Sequence, residues 1–161
     1  MNAESVTQTL MTKFPNAFDG ASVVGGQPML TVRSDHWGPV SKWLAGEGGF
    51  EFLSDLCGVD LLGTEPRFQV VYTLTNMAEK QRVTIRLPIQ SYPPKTRSVV
   101  DLWPGANFHE REAFDMFGIE FEGHPDPTRI LMPDEWEGHP LRKDYSMGKV
   151  PIEYKHLSPG A

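Results

Sequence analysis

The chain has 161 residues, a net charge of −6 and a pI near 5.3. That length suits one domain with its own core and room for a tail, and the acidic balance excludes a nucleic-acid binder, which needs a basic face. A single cysteine, Cys57, excludes an internal disulfide and a cysteine-held iron–sulfur cluster within this chain. It reads as a small buried hydrophobe in an apolar setting that raises its pKa. The N-terminus shows no basic segment leading into an apolar one, and no apolar run approaches membrane-spanning length. A soluble protein in a reducing compartment is expected.

Taken in order, Ser5 to Gln8 offers a capping box, with Val6, Leu10 and Phe14 on one helix face and Pro15 as the stop. Residues 21–32 read as two short strands about the turn Gly25-Gly26-Gln27-Pro28. Ser34 or Asp35 is placed to cap a second helix whose inner face is Trp37, Val40 and Leu44, ending near Gly46. The following glycines, Gly46 to Gly49, lack the Lys-Ser/Thr ending of a phosphate-cradling loop.

A strand starts within residues 50–56, with Phe50 and Phe52 expected on one side. The clearest alternation follows: Phe68, Val70, Tyr72 and Leu74, a turn at 76–81, then Val83, Ile85 and Leu87. This is an antiparallel hairpin with one wet face. Pro88 and Tyr92-Pro93-Pro94 are expected to end the sheet, and Ser98 to cap a short helix carrying Val99, Leu102 and Trp103. The expected class is α+β, a mainly antiparallel sheet with helices packed on one face, over residues 1–118.

A further helix follows in Asn107-Phe-His-Glu-Arg-Glu-Ala-Phe-Asp-Met-Phe-Gly118. Asn107 reads as N-cap and Glu110 as the return half of a capping box; Arg111 and Asp115 stand four apart for an outer pair, and Gly118 is the left-handed C-cap. Residues 119–161 are expected to form an extended, Pro/Gly-rich arm. It carries Arg129, Leu131, Met132, Trp136, Arg142 and Tyr145, which include residue types enriched at interface hot spots, stiffened by prolines. Such a run either wraps its own domain or docks on a partner, and the two are compatible.

No self-sufficient active site is visible. His109 and Glu112, three apart, could share a metal with His124, His139 and Asp144, but di-metal bundle sites draw ligands from several facing helices and only one is available. There is no Gly-x-Ser-x-Gly elbow.

Ser98-Val-Val-Asp-Leu-Trp-Pro-Gly-Ala-Asn-Phe-His-Glu-Arg-Glu-Ala-Phe-Asp-Met-Phe-Gly-Ile119, with Gly123-His-Pro, Arg129-Ile-Leu-Met-Pro and Glu137-Gly-His-Pro-Leu-Arg-Lys-Asp-Tyr145, closely resembles the 30-kilodalton subunit of respiratory complex I. The likeness is dense over residues 98–145 and looser upstream. The chain departs at Asp126-Pro-Thr-Arg-Ile-Leu131, where the family commonly has two adjacent arginines. It ends soon after Tyr145, without the longer C-terminal extension of some relatives.

The resemblance implies a non-catalytic subunit of the hydrophilic arm of a proton-translocating NADH–quinone oxidoreductase, peripheral on the cytoplasmic face of the cell membrane. It implies no cofactor in this chain, with FMN and iron–sulfur clusters in partner subunits. It implies packing against the large quinone-pocket subunit and iron–sulfur neighbours, with Glu110, Arg111, Glu112 and Asp115 pairing with the partner or fixing the helix beneath it. His124, Arg129, Trp136, His139, Arg142, Lys143 and Asp144 would complete that interface. An equivalent subunit of a ferredoxin- or F420-fed quinone reductase, or of a membrane-bound hydrogenase, is the alternative.

Overall fold

The computed structural model describes residues 3–146, with side chains from Val6. Its frame is a five-stranded sheet in the order β1-β2-β5-β4-β3. The strands are β1 (Phe18–Val24), β2 (Gln27–Val32), β3 (Phe52–Asp60), β4 (Phe68–Asn76) and β5 (Gln81–Ile89). All neighbours are antiparallel except β2 and β5. The β4–β5 hairpin buries Phe68, Val70, Tyr72 and Leu74 against the same face as Val83, Ile85, Leu87 and Ile89. The β1–β2 hairpin closes on Gly25 and Gly26, whose φ values of 58° and 77° are those of a primed two-residue turn.

That apolar face is covered by α1 (Ala3–Lys13), α2 (Trp37–Ala45) and α3 (Ala106–Phe117). Helix α2 lays Trp37, Val40 and Leu44 on the sheet, with the Trp37 ring centroid 4.5 Å from that of Tyr72. Helix α3 runs along β3, where Gly58 leaves the room that the Phe117 ring occupies; a Cβ there would lie 2.7 Å from Phe117 Cδ2. The expected α+β architecture is what forms.

Several local expectations are corrected. Helix α1 begins at Ala3, before the expected cap at Ser5. Neither Ser34 nor Asp35 caps α2: they form a 3-10 turn, and Asp35 pairs with Arg33. Phe50 is buried but precedes β3, while Phe52 points out at 53% exposure, so the two do not share a side. Cys57 is exposed on the edge strand β3, not buried; partial burial, with the carboxylates of Asp55 and Glu112, still raises its thiol pKa. Pro88 does not end the sheet. It sits within β5, beyond the stretch that pairs with β2, where its missing N–H costs no ladder bond on that side.

Ser98 caps no helix. Residues 99–103 make one turn, closed by the Leu102 and Trp103 amides on the Val99 carbonyl. Past α3, regular structure persists slightly longer than expected: β7 (Glu120–Glu122) pairs in parallel with β6 (Lys95–Arg97), and Ile119 and Phe121 join the core. Residues 123–146 then contain no helix or strand. The arm from residue 147, including Val150-Pro-Ile-Glu-Tyr-Lys155, lies outside the described residues.

Candidate interaction surface

The C-terminal end of α3 organises the described part of the arm after it. A helix ends with carbonyls that have no partner in the next turn. Here the arm supplies partners to three in succession. His139 Nδ1 donates to the Asp115 carbonyl at 2.9 Å, the Leu141 amide to that of Met116 at 3.1 Å, and Arg142 Nε to that of Phe117 at 2.6 Å. Gly118 makes this approach feasible. Its φ of 70° is the expected left-handed C-cap, and a Cβ there would collide with both Arg142 and His139. Burial, then the charges of Arg142 and Arg129, pushes the His139 pKa down.

Asp115 holds the first half of the arm. It is fully buried, and its Oδ1 accepts from Arg129 at 2.6 Å. Its Oδ2 accepts the consecutive amides of Ile130, Leu131 and Met132 at 3.1, 2.8 and 2.9 Å. Burial alone would raise its pKa; the amides of Met132 and Leu131, the Arg129 guanidinium and the Ile130 amide outweigh it and hold the carboxyl below its ordinary value. Arg129 also donates to the carbonyls of Trp136 and Gly138. Arg111, expected to pair with Asp115, instead donates to the carbonyls of Thr128 and Arg129.

A second fastening lies at the mouth of the β3–β4 loop. Arg67 grips the buried Asp60 through two hydrogen bonds of 2.8 Å and turns its remaining edge to Asp144. The Lys143 amide also reaches Asp60, at 2.9 Å. The hydrogen bonds from Arg67 hold the Asp60 carboxyl down at about 2. The guanidiniums of Arg67 and Arg142 both stack on Phe68.

Glu110 is not the return half of a capping box. The helix starts at Ala106 with no side-chain cap, and Asn107 Oδ1 is buried with no partner among the described residues. Glu110 points inward, fully buried, and accepts from Ser98 Oγ at 2.7 Å and the Val99 amide at 2.8 Å, fixing the turn before α3. Burial pushes its pKa up to about 7, against the lowering effect of those two donors. His124 stands beside it. Its Nδ1 accepts from the Asp126 amide, so Nε2 carries the proton and faces the Asn107 carbonyl at 3.2 Å, 4.0 Å from Glu110.

The eleven residues singled out from sequence therefore fall into groups. Asp115, Arg129, His139, Arg142 and Arg111 converge on the α3–arm junction; Asp144 and the Lys143 backbone join the Asp60–Arg67 fastening; Glu110 and His124 form the buried pair beneath. Trp136 is half-buried in the arm, and Glu112 is exposed on α3. The side chains weighed as metal ligands do not converge: among the described residues no group of three His, Cys, Asp or Glu is placed to hold an ion. Asp60, Arg67, Phe68 and Ser98 were missed. Asp60 and Arg67 flank a loop containing Gly63 and Pro66, and opposite charges at the two ends of such a loop were the available signal.

Residues 30–151 match the family model described as respiratory-chain NADH dehydrogenase, 30 Kd subunit. The chain belongs to this family. It is 45% identical over 152 residues to the C subunit of NADH-quinone oxidoreductase from Roseiflexus castenholzii, covering 93% of this chain and 87% of that relative. The relative of the same name from Herpetosiphon aurantiacus is 42% identical over 154 residues, covering 94% and 89%. Among solved structures, a trypsin-resistant fragment of Nqo5 superposes with a TM-score of 0.69 at 32% identity, over 78% of this chain and 99% of that one. A chain of an archaeal membrane-bound sulfane sulfur reductase shares the fold, with a TM-score of 0.78 at 24% identity over 98% and 94%.

Proposed function

We propose that this chain is a non-catalytic, shape-giving subunit of the hydrophilic arm of a proton-translocating NADH–quinone oxidoreductase. Electrons pass from NADH through FMN and iron–sulfur centres in other subunits to quinone. This chain holds none of those groups and packs against the quinone-pocket subunit and its cluster-bearing neighbours, peripheral to the membrane on its cytoplasmic face. The observation that carries the reading is near-full-length similarity to the C subunits of that enzyme. The geometry supports it: the polar groups of α3 and the arm fasten the arm to the body, while Phe108, Leu131 and Leu141 are left 62%, 61% and 53% exposed. Apolar side chains held outward on a polar-braced frame suit a partner surface. No helix among the described residues is long and apolar enough to cross a membrane, so attachment would run through the partners.

The test is to tag the full chain in its native cells and purify from membranes. Co-purification with flavin- and cluster-bearing subunits, and quinone reduction driven by NADH, is the expected result. Quinone reduction by ferredoxin or F420 alone would move the protein to a related branch, and recovery as a lone monomer would overturn the reading.

A further inference from the structure

The two edges of the sheet are finished differently. At one, β3 carries a bulge between Leu53 and Asp55 and the exposed charge of Asp55, devices that keep another strand from adding. At the other, β1 has its irregularity between Phe18 and Gly20 and its one charge at Asp19, both near its start. From Ala21 to Val24 the strand is regular, uncharged and exposed. Val23 and Val24, 61% and 55% exposed, are β-branched residues on an open edge.

The register fixes which groups face outward. In a primed two-residue hairpin the residues flanking the turn exchange both hydrogen bonds, so Val24 and Gln27 are a bonded pair. Val23 and Pro28 are then an unbonded pair, in keeping with a proline that has no N–H to give. Alternation turns the N–H and C=O of Ala21 and Val23 away from β2, and none of the four has a backbone partner among the described residues. Directly opposed residues share a face, so the side chains of Ala21 and Val23 lie on the face where Pro28 and Leu30 are buried. That face is not closed here. Helix α1 sends Val6 and Leu10 into the core, and a groove of about 420 Å³ remains between α1 and β1, lined by Gln8, Met11, Ala21 and Val23.

We propose that β1 receives an extended segment of a neighbouring subunit as a sixth strand of the sheet. Backbone groups of that segment pair with those of Ala21 and Val23, and its alternate side chains fall in the same layer as Ala21 and Val23, inside the groove. The groove selects apolar side chains larger than valine. A second copy of this chain pairing edge to edge would bring only its own Ala21 and Val23, too little to fill it. No charged residue lines it, so a charged inward side chain would be buried without a partner. This inference rests on the assembled-subunit reading above and adds to it the kind of segment the partner supplies.

The test is amide hydrogen exchange, read residue by residue on the isolated full chain and on the complex purified from membranes. In the isolated chain the amides of Ser22 and Val24, turned to β2, exchange slowly, and those of Ala21 and Val23 exchange at close to the rate of an unstructured peptide. In the complex, Ala21 and Val23 slow by roughly a hundredfold or more. Free exchange of those two amides in an intact complex overturns the proposal. Their protection already in the isolated chain overturns it too, the occupant then being a second copy if the mass is that of a dimer, or a segment of this chain if it is that of a monomer. A pair of variants reads the same edge through recovery of the complex. Val23→Pro and Val23→Ala both lose the valine side chain, and only the first loses the outward N–H, at a position where an edge strand tolerates proline. We expect Val23→Pro to lower recovery roughly tenfold below Val23→Ala, with the melting temperature of the isolated chain the same in both. Equal recovery of the two overturns the backbone pairing. Should Val23→Pro melt earlier, exchange in the wild-type complex decides alone. If the wild-type chain itself copurifies with nothing, the assembled-subunit reading has failed and this inference falls with it.

Discussion

The sheet body and the arm are built on opposite principles. The body holds together by apolar burial: Trp37, Tyr72, Leu74, Ile85 and Leu87 are fully buried, and no charge is needed to specify their contacts. The arm contributes little to that core after Phe121. It is held by hydrogen bonds to two buried carboxylates, Asp115 and Asp60, and to the last carbonyls of α3. Burial is proportional to area and forgiving of detail, whereas these polar ties depend on angle, protonation and one glycine. The two regions should therefore fail separately.

The largest effect belongs to Asp115→Ala. It strands a half-buried guanidinium and three amides, a loss on the order of 3–5 kcal/mol. The loss should fall on the arm, seen as rapid protease cleavage between residues 123 and 146, while the melting temperature of the body changes little. A parallel collapse of body and arm would break the comparison.

Next is pH. The Glu110 carboxyl has a folded pKa of about 7 against an ordinary value of 4.5, so the folded state binds this proton more tightly than the unfolded one. Its stabilising contribution is complete below pH 4.5 and falls as pH rises to 7, by about 3 kcal/mol in all. Glu110→Gln still accepts from the Val99 amide, turns the Ser98 contact round so that its own amide nitrogen donates to Oγ, and should remove that slope. His139, with its lowered pKa, titrates with the opposite sign, but it does so in both proteins, so their difference in denaturant midpoint against pH isolates Glu110.

Gly118→Ala should cost about 2 kcal/mol through left-handed backbone strain and collision with His139 and Arg142, freeing residues 139–145 before 129–132. The smallest effect is expected from Lys143→Ala. The backbone amide of Lys143, not its ammonium, meets Asp60, so stability of the isolated chain should stay within about 0.5 kcal/mol of wild type.

The same division governs what could be read from the sequence. The β4–β5 hairpin, the inner face of α2 and the existence of α3 were legible because period-two and period-3.6 patterns reflect burial, which is a local signature. The family was legible from the run around α3. The roles of Glu110 and Asp115 were not. Spacing offered each a partner within four residues, yet Glu110 bonds 11 and 12 residues back and Asp115 14 to 17 residues on. Both are buried carboxylates whose partners lie across a glycine and proline turn, and periodicity carries no information about such pairs. Phe50 and Phe52 failed for a simpler reason: alternation was assumed from two residues before the strand begins.

The most direct measurement is hydrogen–deuterium exchange on the isolated full-length chain, read at the amides of Ile130, Leu131, Met132, Leu141 and Lys143. Each has a defined acceptor, on Asp115, Met116 or Asp60. An arm strapped to its own body predicts slowed exchange at all five, lost selectively at the first three in Asp115→Ala. Exchange at the rate of an unfolded peptide in the wild-type chain would contradict it.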